Sequence, residues 1–260
     1  MTRVSDYPPG HITDLPRRTR SIPGWRLFQA IILSASLSGL AAANENGFVQ
    51  IFNGKDLTDW DGMPGAWGVR NGAIHTVGAK MGKNWLIWRG GEVEDFELRL
   101  SFKFTSGNSG VQVRSVDRGN WQVHGYQVEI AAIHLMGLWH ESLWSDQERR
   151  SLATAGHNVR IAADGSRQVE VFGDPVKLQA NVKADDWNEL IVIGQGKRLI
   201  QLINGVVLAE LVDEDQTRSR RSGVIALQDH GNGCNVQYKD IRLKAAFREQ
   251  VKRPEQSGSR

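Results

Sequence analysis

The chain is punctuated by two-residue turn signals. Asn53-Gly54, Asp61-Gly62, Asn71-Gly72, Asp164-Gly165 and Asn204-Gly205 each lie between apolar or alternating runs. Tight hairpin turns need positive φ at their centre, which Asn, Asp and Gly tolerate, so this punctuation prescribes antiparallel strands. The runs between the turns agree. "FELRLSFKF", "GVQVR", "YQVEI", "RQVEVF", "NELIVIG", "RLIQLI", "GVIALQ" and "VQYKDIRL" alternate apolar and polar residues with period two, and helical periodicity is nearly absent. So many short strands, with no repeat of constant length, predict an all-β fold. The expected form is a two-sheet antiparallel sandwich of jelly-roll type, in preference to a barrel or propeller.

Composition bounds the reading further. The net charge of +3 rests largely on the two ends, on Arg3, Arg17, Arg18, Arg20 and Arg26 and on Arg248, Lys252, Arg253 and Arg260. The folded part is therefore not a basic nucleic-acid surface. Residues 1–43 have the layout of a secretory signal: a long basic region to Arg26, the apolar run "LFQAIILSASLSGLAAA", and small residues at Ala41 and Ala43 that suit cleavage before Asn44. Export to the periplasm or medium is expected, although the run is also at the lower limit of a membrane anchor. Residues 44–245 then form a single sandwich domain and residues 246–260 a polar, disordered tail. The one cysteine, Cys234, excludes an intrachain disulfide and is expected to be a buried, inert thiol.

Side chains alternate between the faces of a strand. In "GVQVRS" Val111 and Val113 point one way and Gln112 and Arg114 the other; in "GYQVEI" Tyr126, Val128 and Ile130 oppose Gln127 and Glu129. Ile225 and Leu227 likewise oppose Gln228 and His230. If these strands are neighbours, one sheet face carries amides, a guanidinium and a carboxylate, groups that share hydrogen bonds with adjacent sugar hydroxyls. Some of the nine tryptophans, Trp67 among them, can stack on a pyranose ring. An ordinary solvated face is the plainer reading of the same alternation.

The segments "GFVQIFNGKDLTDW", "WGVRNGAI", "DFELRLSFKFTSGNSGVQVRS", "GYQVEI", "DDWNELIVIGQGKRLIQLINGVVLAELVDED" and "SGVIALQDHGNGCNVQYKDIRLK" resemble, in order and spacing, the 3-keto-disaccharide hydrolase domain family. The resemblance spans residues 47–245. It implies a concanavalin A-like sandwich, a sugar substrate oxidised at C3, and no cofactor. It also implies a separate sugar 3-dehydrogenase acting upstream, since the chain has no dinucleotide or phosphate fingerprint. The family motif suggests that Asn108 lines the groove. One region departs from the family: "GLWHESLWSDQERRSL" keeps Glu141 and Ser142 but has His140 at the usual acidic place and extra residues before Arg149 and Arg150. Asp229 stands where a neutral residue is usual.

A 3-keto sugar has an acidic proton at C2, and its removal lets the C1 substituent leave before water adds. The site needs a base, an acid for the leaving oxygen, and a donor or cation at the C3 oxygen. Glu129 is the candidate proton carrier, Glu141 or His140 the second one, and Arg114 or His230 the enolate stabiliser. Gln112, Gln127 and Gln228 hold hydroxyls. Two alternatives stay open. A non-catalytic carbohydrate-binding module would use the same face; an ordinary glycoside hydrolase needs paired carboxylates, and "GYQVEI" offers one. His124, His134, His140 and His157 match no zinc spacing, so no metal is expected. Residues 213–223, "DEDQTRSRRSG", read as a solvated connection.

Overall fold

Seventeen strands and one short helix form in the computed structural model, which describes residues 47–78, 82–130, 135–141, 151–231 and 233–248. The expected signal, His134, Ser142, Arg149 and Arg150 lie outside these residues. In chain order the strands are β1 (Val49–Gln50), β2 (Trp60–Asp61), β3 (Trp67–Arg70), β4 (Ala73–Thr76), β5 (Asn84–Trp88) and β6 (Glu92–Ser106). Next come β7 (Gly110–Asp117), β8 (Val123–Glu129), β9 (Gly137–Glu141), β10 (Ser151–Thr154), β11 (His157–Ile161) and β12 (Arg167–Val171). Helix α1 (Pro175–Gln179) precedes β13 (Asn188–Gln195), β14 (Arg198–Ile203), β15 (Val206–Asp213), β16 (Val224–Asp229) and β17 (Asn235–Arg248). The backbone of β17 continues through Arg248, where it pairs with Glu92, so the strand extends past residue 245.

The strands make two sheets. One has ten strands in the order β12-β11-β15-β14-β13-β6-β17-β4-β3, with β1 added on β17; the other has seven, β10-β9-β8-β7-β16-β5-β2. Their pairs are antiparallel except β11 with β15, which run parallel. Residues between them explain this exception: β12, α1, β13 and β14 intervene, so the connection is long enough for a crossover.

Period two fixes the core. Along β6, Phe96, Leu98, Leu100 and Phe102 are buried while Glu97, Arg99 and Ser101 are partly exposed. They meet Val111, Val113, Tyr126, Val128, Ile225 and Leu227 from the seven-stranded sheet in one continuous apolar cluster. Burying each such side chain contributes about 1.5–3 kcal/mol. The two sheets differ in their other faces. In the ten-stranded sheet that face is partly exposed, whereas β5, β7 and β16 are buried on both faces along nearly their whole length. Trp85, Ile87, Val123, Val224 and Ala226 form a second, small apolar cluster there. Cys234 is buried at the core edge, and burial pushes its thiol up to about 11, as an inert thiol requires.

The segment after β15 exposes Gln216, Thr217, Arg220 and Arg221 but is anchored by two buried aspartates. Asp213 accepts the Tyr126 hydroxyl at 2.6 Å, and Asp215 is 3% exposed. Burial alone would raise the Asp215 carboxyl, but donors from Thr217 and the Arg218 guanidinium hold it well below the usual carboxylate range. A carboxyl depressed on folding stabilises the native state above its unfolded pKa, about 4, and loses that contribution as pH falls through the lower folded value. Asp215→Asn is therefore expected to cost about 2 kcal/mol at neutral pH, the scale of hydrogen bonds to a charged group. Thermal melts should show the gap to wild type narrowing below about pH 4. A gap independent of pH would mean that the ionised form has no special role.

Candidate functional site

β7, β8 and β16 run side by side through the middle of the seven-stranded sheet, and their registers gather three glutamines. Gln127 lies opposite Gln112, and Gln112 opposite Ala226. Continuing the second register puts Gln228 opposite Gly110, which is itself opposite Glu129. One row across the sheet thus reads Glu129, Gly110, Gln228 and, on β5, Trp85. Gly110 lets these groups communicate. A Cβ there would stand 2.7 Å from Cγ of Gln127, so only glycine leaves room for Gln127 to lean across the row. Its Nε2 donates to Glu129 Oε2 at 2.9 Å and to Gln228 Oε1 at 3.1 Å. Its Oε1 accepts from Gln112 Nε2 at 2.8 Å, and Gln112 Oε1 accepts the Ser115 hydroxyl at 2.6 Å. Gly125 makes space for that hydroxyl, because a Cβ there would come within 2.4 Å of Ser115 Oγ.

The ladder has a direction, set where Gln127 Nε2 meets Glu129 Oε2. A carboxylate only accepts, so Gln127 must turn its amide nitrogen toward Glu129. The other amides then have one arrangement each: Gln112 donates to Gln127, and Gln228 accepts from it. This leaves Nε2 of Gln228 buried with no partner. Directly across from Gln228, Nε1 of Trp85 is also buried and unpartnered, and Oδ1 of Asn108 is a third such atom. Buried polar atoms without partners are rare, since each forfeits about 1–3 kcal/mol, and they mark places where a ligand or water completes the bonding. Two donors and one acceptor thus remain unsatisfied around Gly110, beside one carboxylate.

The face is buried rather than solvated. Gln112 and Gln228 have no accessible surface and Glu129 retains 4%. The seven-stranded sheet brings Gln112, Gln127, Glu129 and Gln228 together as their alternation requires, with Asn108 in the turn that leads into β7. Three other residues singled out in the sequence, Arg114, His140 and Trp67, fall elsewhere. Arg114 is the largest departure. The ladder between β7 and β8 shifts register between Val113 and Val116, and Arg114 takes φ of +48°. This bulge flips its side chain to the opposite face, where it crosses to the ten-stranded sheet. The guanidinium donates to the carbonyls of Glu94 and Gly196, both at 2.8 Å, and lies 3.4 Å from Asp95. Its carbon stands 5.7 Å from the Phe96 ring centre. Ser115 takes the place on the polar face that strict alternation assigns to Arg114.

His140 lies opposite Tyr126, so it belongs to the core-side face. Its ring packs edge-on against His124 at 4.9 Å and near Tyr126 at 6.1 Å. Trp67 is in the main core, and its Nε1 donates to Asn84 Oδ1 at 2.8 Å, tying β3 to β5. His230 follows the end of β16 beside Asp229, whose carboxyl burial pushes up. Glu141 has its backbone opposite Gly125, in the parity of Gln127 and Glu129, and its side chain lies outside the described residues. Two aromatics replace Trp67 at the face. Trp139 lies opposite Gln127, half-buried, and Trp85 opposite Gln228. Parity within "NWLIW" and "GLWHE" was the signal for both, once β5 and β9 are placed beside β16 and β8. Among the described residues, no three His, Cys, Asp or Glu side chains gather as a metal site.

With this geometry in place, comparison with known proteins gives the family. The profile of the 3-keto-alpha-glucoside-1,2-lyase-like domain, the 3-keto-disaccharide hydrolase family, matches residues 47–244. The chain belongs to this family. The matched span begins just before β1 and ends within β17, so it takes in both sheets and the whole Gln ladder. Comparison with curated proteins gives no match. Among solved structures, a protein of Parabacteroides distasonis ATCC 8503 provisionally assigned to the glycosyl hydrolases is similar at TM-score 0.50 and 18% identity, over 76% of this chain and 99% of its own. A second protein of that organism with the same assignment has TM-score 0.49 and 16% identity, over 77% and 94%. A carbohydrate-binding module from Bacillus subtilis has 0.46 and 11%, over 72% and 96%. The first of these likenesses speaks for the sandwich fold.

Proposed function

We propose that this protein is an exported enzyme that cleaves 3-keto-glycosides, with Glu129 moving the C2 proton. The family carries the substrate class; the single observation that carries the mechanism is the buried carboxylate of Glu129 on a row with unsatisfied donors at Gln228 Nε2 and Trp85 Nε1. The C2–H bond breaks toward Glu129 and its electron pair delocalises onto the C3 oxygen. Gln228 Nε2 and Trp85 Nε1 are the donors for that enolate charge, the role expected above of Arg114 or His230. The pair then returns to form C1=C2 as the C1–O bond breaks, and the leaving oxygen takes a proton from Glu129 or Glu141. Water adding across C1=C2 completes a net hydrolysis. Asn108 Oδ1 is available to a sugar hydroxyl, and Trp139 offers a ring for stacking.

Export rests on the signal-like layout of residues 1–43. A separate dehydrogenase, acting first, installs the C3 ketone. The test is to incubate the purified protein with 3-keto-trehalose and related keto-glycosides. Released hexose is expected from these and none from the parent glycosides, in which C2–H is not acidic. Binding without release would make the protein a carbohydrate-binding module, and cleavage of the parent glycosides an ordinary glycosidase.

A further inference from the structure

β12 ends the ten-stranded sheet, and among the described strands none pairs with its outer edge. All five of its residues are exposed, with Val169 at 57% and Val171 at 67%. Natural edge strands commonly carry Lys, Pro or an inward charge that prevents further pairing. "RQVEV" has no Lys or Pro; its inward charge, Arg167, is engaged by Leu152 O, and its two valines share the same face.

The direction of its backbone groups follows from the ladder with β11. Phe172 N–H donates to Gly156 O and Ala162 N–H to Ser166 O, and the register between these bonds pairs Asn158 with Glu170 and Arg160 with Gln168. Bonded pairs alternate in an antiparallel ladder, so Gln168 and Glu170 turn their backbone groups toward β11. Val169 and Val171 turn theirs outward. On the core side Val169 lines a cleft of about 400 Å³ with Leu152, Ala153 and Val159, at the mouth between the edges of the two sheets. Arg167 donates to Leu152 O across the same mouth.

We propose that this edge pairs with β12 of a second copy of the chain, antiparallel about a two-fold axis through Val169. That register is self-complementary. Val169 exchanges a pair of backbone bonds with its own copy, Val171 faces Arg167, and the Gln168 amide faces the Glu170 carboxylate. A register centred on Glu170 instead sets two carboxylates against each other, which is destabilising for directly opposed strand residues. The chosen register also places the second copy's valines over the open mouth, where they continue the apolar surface of Val159 and Leu152. The two ten-stranded sheets become one.

Sedimentation of the purified full chain tests this. Wild type is expected at twice the monomer mass. Val169→Lys opposes two ammonium groups at the axis and should give a folded monomer, with the far-UV circular dichroism of wild type. An equimolar mixture of Gln168→Cys and Glu170→Cys should form an interchain disulfide under mild oxidation, since these residues face each other as a non-bonded pair with Cα atoms about 4.5 Å apart, within the range a disulfide spans. Val207→Cys, on another exposed site, should not. A monomeric wild type, a dimer that survives Val169→Lys, or a mixture of the two cysteine variants that fails to cross-link would each overturn the proposal.

Discussion

Glu129→Gln is expected to reduce turnover of a 3-keto-glycoside by about a hundredfold or more while leaving its affinity nearly unchanged. The substitution is unusually clean here. Gln127 Nε2 reaches Glu129 Oε2 at 2.9 Å, and a glutamine carbonyl at 129 can accept the same bond, so the orientation of Gln127, Gln112 and Gln228 is kept. What disappears is the capacity to take a proton. A loss confined to kcat is the signature of an interaction made in the transition state. Steady-state kinetics together with calorimetric binding of the substrate separates the two effects. Full activity in the variant would remove this carboxylate from the mechanism and move attention to Glu141.

Arg114→Ala is expected to destabilise the fold by about 3 kcal/mol or more, with little direct effect on sugar affinity in the molecules that remain folded. Its guanidinium, 1% exposed, joins the seven-stranded sheet to the ends of β6 and β13 through Glu94 O and Gly196 O. Removing it leaves those carbonyls and Asp95 without that donor and opens a void beside Phe96. Burial lowers the pKa of this guanidinium, but an arginine so shifted is still charged at neutral pH, so the contact is a charged one throughout the working range. Urea melts give the stability change, and calorimetry below the transition gives the affinity. Unchanged stability with lost binding would return Arg114 to the groove that the sequence suggested.

Arg114 shows where period-two reading stops. It holds on either side of the bulge: Val111 and Val113 are core, Gln112 faces Gln127, and Gln127 and Glu129 share a face. A bulge inserts one residue and reverses parity beyond it, and no turn residue in "VQVRSVD" announces it. The fold class was legible because the Asn-Gly and Asp-Gly turns and the alternating runs all agree on antiparallel strands. Strand adjacency was not legible from local pattern. Nothing in "GLWHE" says that it pairs with β8, in the register that sends His140 to the core side and Trp139 to the ladder. Trp67 was misplaced for a related reason. A tryptophan at a strand start serves a core as well as a groove, and only Asn84, in the other sheet, decides between them. The parallel placement of β11 on β15 likewise depends on contacts far apart in sequence.

The central claim, that this chain breaks a glycosidic bond by first removing the proton at C2, is tested most directly by isotope. Wild type and Glu129→Gln are incubated with a 3-keto-glycoside in heavy water, and the recovered hexose and remaining substrate are examined by proton NMR. Wild type is expected to release the 3-keto-hexose carrying deuterium at C2, well above the exchange seen without enzyme, and Glu129→Gln to release almost none. A 3-keto-hexose released with its C2 proton intact would contradict the claim.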